Sequence, residues 1–281
     1  MGGGGDRFTA RFWGVRGSIP APGPETVRYG GNTSCVEVWC GDTLFILDAG
    51  SGLRPLGLKL NQQPGNVHGH IFLSHLHWDH IQGIPFFSTA YAPGNSFTVY
   101  GCRRDGISLR ENLIGQMTHP NFPVPITVMQ SDISFEEVEM GDTHVIGGAT
   151  VRTSELNHPG GAMGIRIEYQ GRSVAYCSDH EHEDPAKIHR GLDSLGRDAE
   201  LLIYDATYTD AEYPDKKGWG HSTWQVACHV GRELNAKRLA IFHHDPSHVD
   251  TTLDGIAEEA LLRYDGAFVA REGLEIDLTD L

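Results

Sequence analysis

Residues 74–80 read SHLHWDH, and they begin where the apolar run HIFL (70–73) ends. Three imidazoles and a carboxylate at the end of a buried strand need a partner, because unpaired polar groups are costly to bury. On the strand end His75 and His77 project to one side, and a turn brings Asp79 and His80 alongside them. A divalent cation offsets the cost for all four. Zinc suits imidazole nitrogen with carboxylate oxygen, and manganese or iron accept the same donors. One run of four cannot close two sites, so further ligands are expected from other strand ends. His158 follows VRTSEL in NHPGG, Asp179 follows VAYCS, and His243 or His244 follows LAIF. Each stands at the carboxyl end of an apolar segment, where the ligand-binding groups of α/β sheets collect.

The rest of the 281 residues constrains what such a site serves. The net charge is −15, from 22 basic and 37 acidic side chains, and Arg103-Arg104, Lys216-Lys217 and Lys237-Arg238 are the only basic pairs. Phosphate contacts supply most of the affinity for a long polyanion, so a long nucleic acid is not expected as a partner. A small anion drawn to bound cations is compatible with that charge. No apolar window reaches the length of a membrane span. The start MGGGGDRFTARFWG lacks the apolar core of a secretion signal, and residues 1–6 are read as a flexible or cloning-derived tail. Five cysteines without a CxxC pair suit reduced thiols and a cytoplasmic location.

Strand-like and helix-like segments alternate along 7–281, without a low-complexity linker or repeat, so this span is read as one domain. The segment RFTARFWGV (7–15) reads as a strand, and Gly41-Asp42 is a hairpin signal between SCVEVWC and TLFILDA. Helices are expected near 53–63, over 79–91 in part, over 105–117 with Asp105 as cap, after a Ser222 cap, and near 251–264. From about 133 strands dominate, with HVIGGATVRTSEL read as one of them and Gln170-Gly171 as a tight turn. Two sheets packed face to face with helices outside satisfy this order.

The chain resembles the metallo-β-lactamase superfamily, an α/β fold whose αββα sandwich of two mixed sheets with outer helices carries a two-metal centre. The superfamily's HxHxDH motif matches His75, His77, Asp79 and His80, and the likeness runs from ILDAGSG (46–52) to about 248. It implies that His75, His77 and His158 hold one ion, and that Asp79, His80 and a late histidine hold the other, with Asp179 bridging. His243 is preferred to His244, because FHHDP resembles the phosphodiesterase branch and alternation turns only one neighbour to the metals. Asp48, ending LFILD, is expected to support the ligands or cap the turn. The implied cofactors are two divalent ions per chain, zinc foremost, manganese or iron next.

The motif leaves the reaction open, since the superfamily hydrolyses lactams, thioesters, lactones and phosphodiesters. LLIYDATY (201–208) and GWGHSTWQVA (218–227) narrow it, for they resemble the tRNA 3′-processing endonucleases and related cyclic phosphodiesterases. That resemblance implies a His221–Asp205 pair assisting the leaving oxygen, with Asp79 at the metals and a hydroxide held between the ions as nucleophile. The short gaps from His158 to Asp179 and from Asp179 to Asp205 leave no room for a tRNA-gripping arm. The expected substrate is therefore a small phosphodiester: a cyclic nucleotide, a cyclic ribose phosphate or a short dinucleotide. A lactone or thioester hydrolase is the alternative, and a flavodiiron-like redox module is disfavoured. Arg16, Arg28, Tyr29, Trp78 and His180 are expected substrate contacts, and a homodimer is left open because such relatives often dimerise.

Overall fold

The structure, a computed structural model, describes residues 6–281, so the tail expected over 1–6 lies outside it save for Asp6. Strands β1 (Phe8–Gly14), β2 (Cys35–Cys40), β3 (Thr43–Leu47), β4 (His68–Phe72), β5 (Ser96–Gly101) and β6 (Asp132–Glu137) run in that spatial order through a first sheet. The second sheet holds β7 (Thr143–Ile146), β8 (Ala149–Leu156), β9 (Ala162–Tyr169), β10 (Arg172–Cys177), β11 (Leu201–Asp205), β12 (Arg238–Phe242) and β13 (Ala267–Val269), again in sequence order. β14 (Glu275–Asp277) returns to the first sheet and pairs with β1, making seven strands in each. Both sheets are mixed. β3 to β6 are mutually parallel, as are β10 to β13, and the remaining neighbours pair antiparallel.

The strand sequences dictate the layers. In β3, Phe45 and Leu47 point between the sheets, while Leu44 and Ile46 point outward beneath helix α1 (Leu53–Leu60). A strand covered on both faces must be apolar throughout, which is why TLFIL shows no polar alternation. Phe12, Phe72, Tyr176 and Phe242 meet Phe45 in the central layer, all with negligible exposure. Truncating one such ring costs about 3–5 kcal/mol. Helices α2 (Trp78–Ile81) and α3 (Leu109–Gln116) lie with α1 on the first sheet's side. Helices α4 (Arg190–Gly196), α5 (Trp224–Glu233) and α6 (Asp250–Arg263) cover the second. The arrangement is the expected αββα sandwich.

Several local expectations needed correction. Ser108, not Asp105, caps α3, in a reciprocal pair with Glu111, and Asp105 sits at φ 50° in the preceding turn. Thr223 rather than Ser222 caps α5, because its hydroxyl reaches the Val226 amide. HVIGGATVRTSEL is two strands, β7 and β8, folded about Gly147 and Gly148, both at positive φ. The segment 79–91 is helical in part, as expected, through α2 and two short 3-10 turns. Both hairpin signals hold: Gly41 turns β2 into β3, and Gln170-Gly171 turns β9 into β10.

Parallel order places the carboxyl ends of β3, β4, β10, β11 and β12 on one rim, and β8, running antiparallel to β9, ends there too. No helix among the described residues is long and apolar enough to cross a membrane.

Candidate metal centre

The rim collects the histidines. His75, His77 and His158 bring one nitrogen each within 4.8 Å of one another, and so do the donor atoms of Asp79, His80 and His243. Asp179 joins the two groups. Its carboxylate lies 3.1 Å from His80 Nε2, 3.4 Å from His243 Nε2, 3.8 Å from His75 Nε2 and 3.9 Å from His158 Nε2. Three residues that follow strands on this rim, Asp48, Asp179 and His243, hold left-handed φ angles of 59°, 61° and 63°. Such conformations cost about 1–3 kcal/mol each and persist where surrounding structure enforces them. Here they turn side chains inward across the rim.

Neighbouring groups set which ring nitrogen faces inward. His80 Nδ1 lies 2.6 Å from Asp48, His158 Nδ1 lies 2.8 Å from the Gly220 carbonyl, and His243 Nδ1 lies 3.0 Å from the Thr207 hydroxyl. Ser74 donates to Asp48, leaving its oxygen to accept from His75 Nδ1 at 3.0 Å. Each contact places the proton on Nδ1 and leaves Nε2 bare toward the cluster, the arrangement metal-ligating histidines require. His75 Nε2 is buried and has no hydrogen-bond partner. His77 Nδ1 faces His158 Nε2 at 3.2 Å. These bare nitrogens and inward carboxylates fit divalent cations.

The electrostatics agree. Burial alone would lower the His80 pKa, yet Asp179, Asp79 and Asp48 raise it well above the usual imidazole value. Burial alone would raise the Asp79 carboxyl, but His80 and His243 hold it well below the carboxylate range. His75 is pushed down by burial and by neighbouring His80. The pocket is built to stabilise positive charge it does not carry as fixed cations.

Asp205 and His221 stand at the same rim. His221 Nδ1 lies 2.7 Å from Asp205 Oδ2, and the His221 ring stacks on His243 with centroids 4.8 Å apart. Asp205 is fully buried, and its other oxygen accepts from the Thr207 amide and hydroxyl and from the Ser222 amide. Burial would lower the His221 pKa, but Asp205 raises it to about 9. Asp179, Asp205, His221 and His243 also form a compact donor group of their own. Asp48, at 0 % exposure, takes the supporting place expected of it, accepting from His80, both polar groups of Ser74 and the Tyr176 hydroxyl.

The expected substrate contacts fare differently. Arg16 is fully buried and donates to the carbonyls of Gly30, Asp245 and His248, so it braces loops and is withdrawn from solvent. Arg28 forks onto Asp254 of α6, and the Tyr29 hydroxyl donates to the same carboxylate. That acid occupies the charge and hydroxyl proposed for a phosphate. His180 is buried, pushed down to about 3 by burial and the nearby His189, and accepts from the Asn157 amide. Trp78 alone of the five is both exposed and adjacent to the motif's ligands. His244 donates from Nε2 to the Ala270 carbonyl, away from the cluster.

Three supporting residues escaped the sequence reading. Glu181 accepts from the Gly218 and Gly220 amides and the Tyr213 hydroxyl, and so fixes the loop that supports both His158 and His221. Thr207 links Asp205 to His243. Gly17 leaves space for His243, since a Cβ there would lie 2.3 Å from Cε1 of that ring. The Ser18 amide beside it donates to Asp79 at 2.7 Å. An acid just after the bridging position and a Gly-x-Gly loop were visible signals for the first; the others had none.

Comparison with known proteins agrees with this fold. The family described as "Beta-lactamase superfamily domain" matches residues 43–244. A ribonuclease Z of Porphyromonas gingivalis is 25 % identical, over 84 % of this chain and 90 % of its own. The crystal structure of a diphosphatase from the PhnP family superposes with a TM-score of 0.72 at 18 % identity, covering 96 % of this chain and 98 % of that one. The short form of human tRNase Z superposes at 0.69 with 19 % identity, covering 96 % and 99 %.

Proposed function

The chain belongs to the β-lactamase superfamily, and from that premise we propose that it is a metal-dependent hydrolase of phosphodiesters. One observation carries the reaction type: the His221 imidazole, held by buried Asp205 at 2.7 Å and stacked on His243 beside the candidate metal ligands. A thiolate leaving a thioester has little need of a proton donor, whereas an alkoxide leaving phosphorus does. The ribonuclease Z and diphosphatase relatives support the same choice.

His75, His77 and His158 would hold one ion, and Asp79, His80 and His243 a second, with Asp179 shared. Zinc is the expected metal and manganese or iron the next. Bound there, such ions supply an activated water and offset the charge that gathers on phosphate oxygens during in-line displacement. The protein's own part is positional. Asp48, Ser74, Thr207 and Gly220 keep the four rings in the orientation described, and Ser18 keeps Asp79 aimed inward. As the phosphorus–oxygen bond breaks, His221 passes its proton to the leaving oxygen, and Asp205 retains the ring for the next cycle. The product is a monoester and an alcohol.

A small substrate follows from the charge of −15 and from the absence of a tRNA-gripping insertion in the sequence. The test is turnover by metal-reconstituted protein of bis(p-nitrophenyl) phosphate, cyclic nucleotides, dinucleotides, a precursor tRNA, a homoserine lactone and a glutathione thioester. Activity is expected on the diesters and not on the last two. Turnover confined to lactone or thioester overturns the reading, and preference for the tRNA overturns the small-substrate part alone.

A further inference from the structure

Trp78 is the residue of the motif that no metal chemistry explains. It is 65 % exposed, between the exposed ligand His77 and the buried ligand Asp79. The cluster thus meets solvent where this indole stands. Beside it Phe86 is 56 % exposed and meets Phe122 edge to face, with ring centroids 5.8 Å apart. With Pro85, Gln82, Gln116 and Asn121 these aromatics line a groove of 440 Å³, a size in the small-ligand range of roughly 300–1,000 Å³.

The lining is informative in what it combines. It has flat aromatic walls and three primary amides, and no charged side chain. A phosphate finds no cation in it. A heteroaromatic ring finds both a stacking surface and groups that donate and accept hydrogen bonds. Gln116 Nε2 is buried without a partner, a donor in want of an acceptor. The Gln82 amide donates to Thr33 through its nitrogen, leaving its oxygen as an acceptor. Three aromatic side chains are far fewer than the roughly 20–30 residues a side of a standard protein interface.

We propose that this groove seats the nucleobase of the substrate, stacked on Trp78, while the phosphodiester reaches past His77 to the metal ligands. The inference rests on the phosphodiesterase reading and narrows its substrate class to nucleotide-bearing diesters, excluding cyclic ribose phosphates without a base. Stacking of a base on an aromatic side chain tolerates any base identity, and its loss weakens binding by about tenfold. Trp78 is on the surface of a four-residue helix, so truncating it leaves the packed layers intact.

The experiment compares a dinucleotide with the same molecule lacking both bases, using metal-loaded wild type, Trp78→Ala and Phe86→Ala. Trp78→Ala is expected to raise KM for the dinucleotide about tenfold with kcat within about twofold. The abasic substrate is expected to show the higher KM with all three proteins. Equal KM for both substrates in the wild type overturns the groove's role, as does an equal effect of Trp78→Ala on both. Loss of a dimer in Trp78→Ala by sedimentation, with both substrates affected alike, overturns it too and assigns the aromatics to a second copy. If neither diester turns over, the phosphodiesterase reading fails by itself. Adenosine and cytidine then decide the groove through Trp78 fluorescence: quenching that disappears in Trp78→Phe upholds it, and no quenching in the wild type overturns it.

Discussion

Asp48 Oδ2 lies 2.6 Å from His80 Nδ1, and the same oxygen also receives the Ser74 and Tyr176 hydroxyls. A residue at the end of β3 thereby orients a ligand that follows β4, and a tyrosine of the opposite sheet locks both. The contact links the two layers of the sandwich to the metal centre.

An Asn at position 48 keeps the shape but offers one acceptor oxygen instead of two. Asp48→Asn should lower metal affinity by about 10–100-fold, the usual effect of removing a carboxylate behind a ligating imidazole. A competition titration with a chromogenic chelator measures this, and unchanged affinity would detach Asp48 from the site.

Gly17→Ala places a methyl 2.3 Å from His243 Cε1, and the ring must move to admit it. If two ions bind as proposed, affinity for the one assigned to Asp79, His80 and His243 should fall at least about tenfold, and the other ion should be retained. Elemental analysis after limited chelation distinguishes the two; loss of neither refutes the packing argument.

His221→Ala should reduce kcat on diesters with alkoxide leaving groups by about 10²–10⁴-fold. p-Nitrophenolate leaves without help, so bis(p-nitrophenyl) phosphate should be hydrolysed at nearly the wild-type rate. Metal content should stay unchanged. If metal is lost instead, His221 is a ligand, as the compact group it forms with Asp179, Asp205 and His243 would also permit.

Glu181→Gln weakens the hold on the Gly218 and Gly220 amides, which the carboxylate receives at 2.6 and 2.8 Å. Charged acceptors of backbone amides contribute about 1.5–3 kcal/mol. Both metal affinity, through His158, and leaving-group dependence, through His221, should worsen together. A change in melting temperature without either would make Glu181 purely structural.

Stripping the metals removes a ligand that binds the folded state alone. At a free metal concentration one hundred times Kd the stabilisation is about 2.7 kcal/mol. Excess chelator should lower the melting temperature, and zinc or manganese should restore it. An unchanged melting temperature would show that the cluster holds no ion.

The local signals that survived are those set by short-range physics. SHLHWDH, the hairpin glycines and the apolar runs act through a few neighbouring residues, and each is visible in the chain. The cap of α3 was misplaced because Asp105, Ser108 and Thr223-like residues compete for similar roles, and helix register decides among them. Arg16 and Arg28 read as substrate contacts from their place in the Gly/Pro-rich loop that follows β1. Their partners, the carbonyls at 245 and 248 and the carboxylate of Asp254, lie more than two hundred residues onward.

By itself the sequence determined the two-sheet sandwich and singled out the candidate metal ligands, since burying so many imidazoles and carboxylates at strand ends is unfavourable without cations. It also suggested the pairing of Asp205 with His221. Only the tertiary structure decided which nitrogen of each ring faces inward, that Glu181 and Gly17 support the centre, and that Trp78 opens onto an aromatic groove. Those outcomes depend on close packing between segments distant in the chain, and no local pattern encodes such contacts.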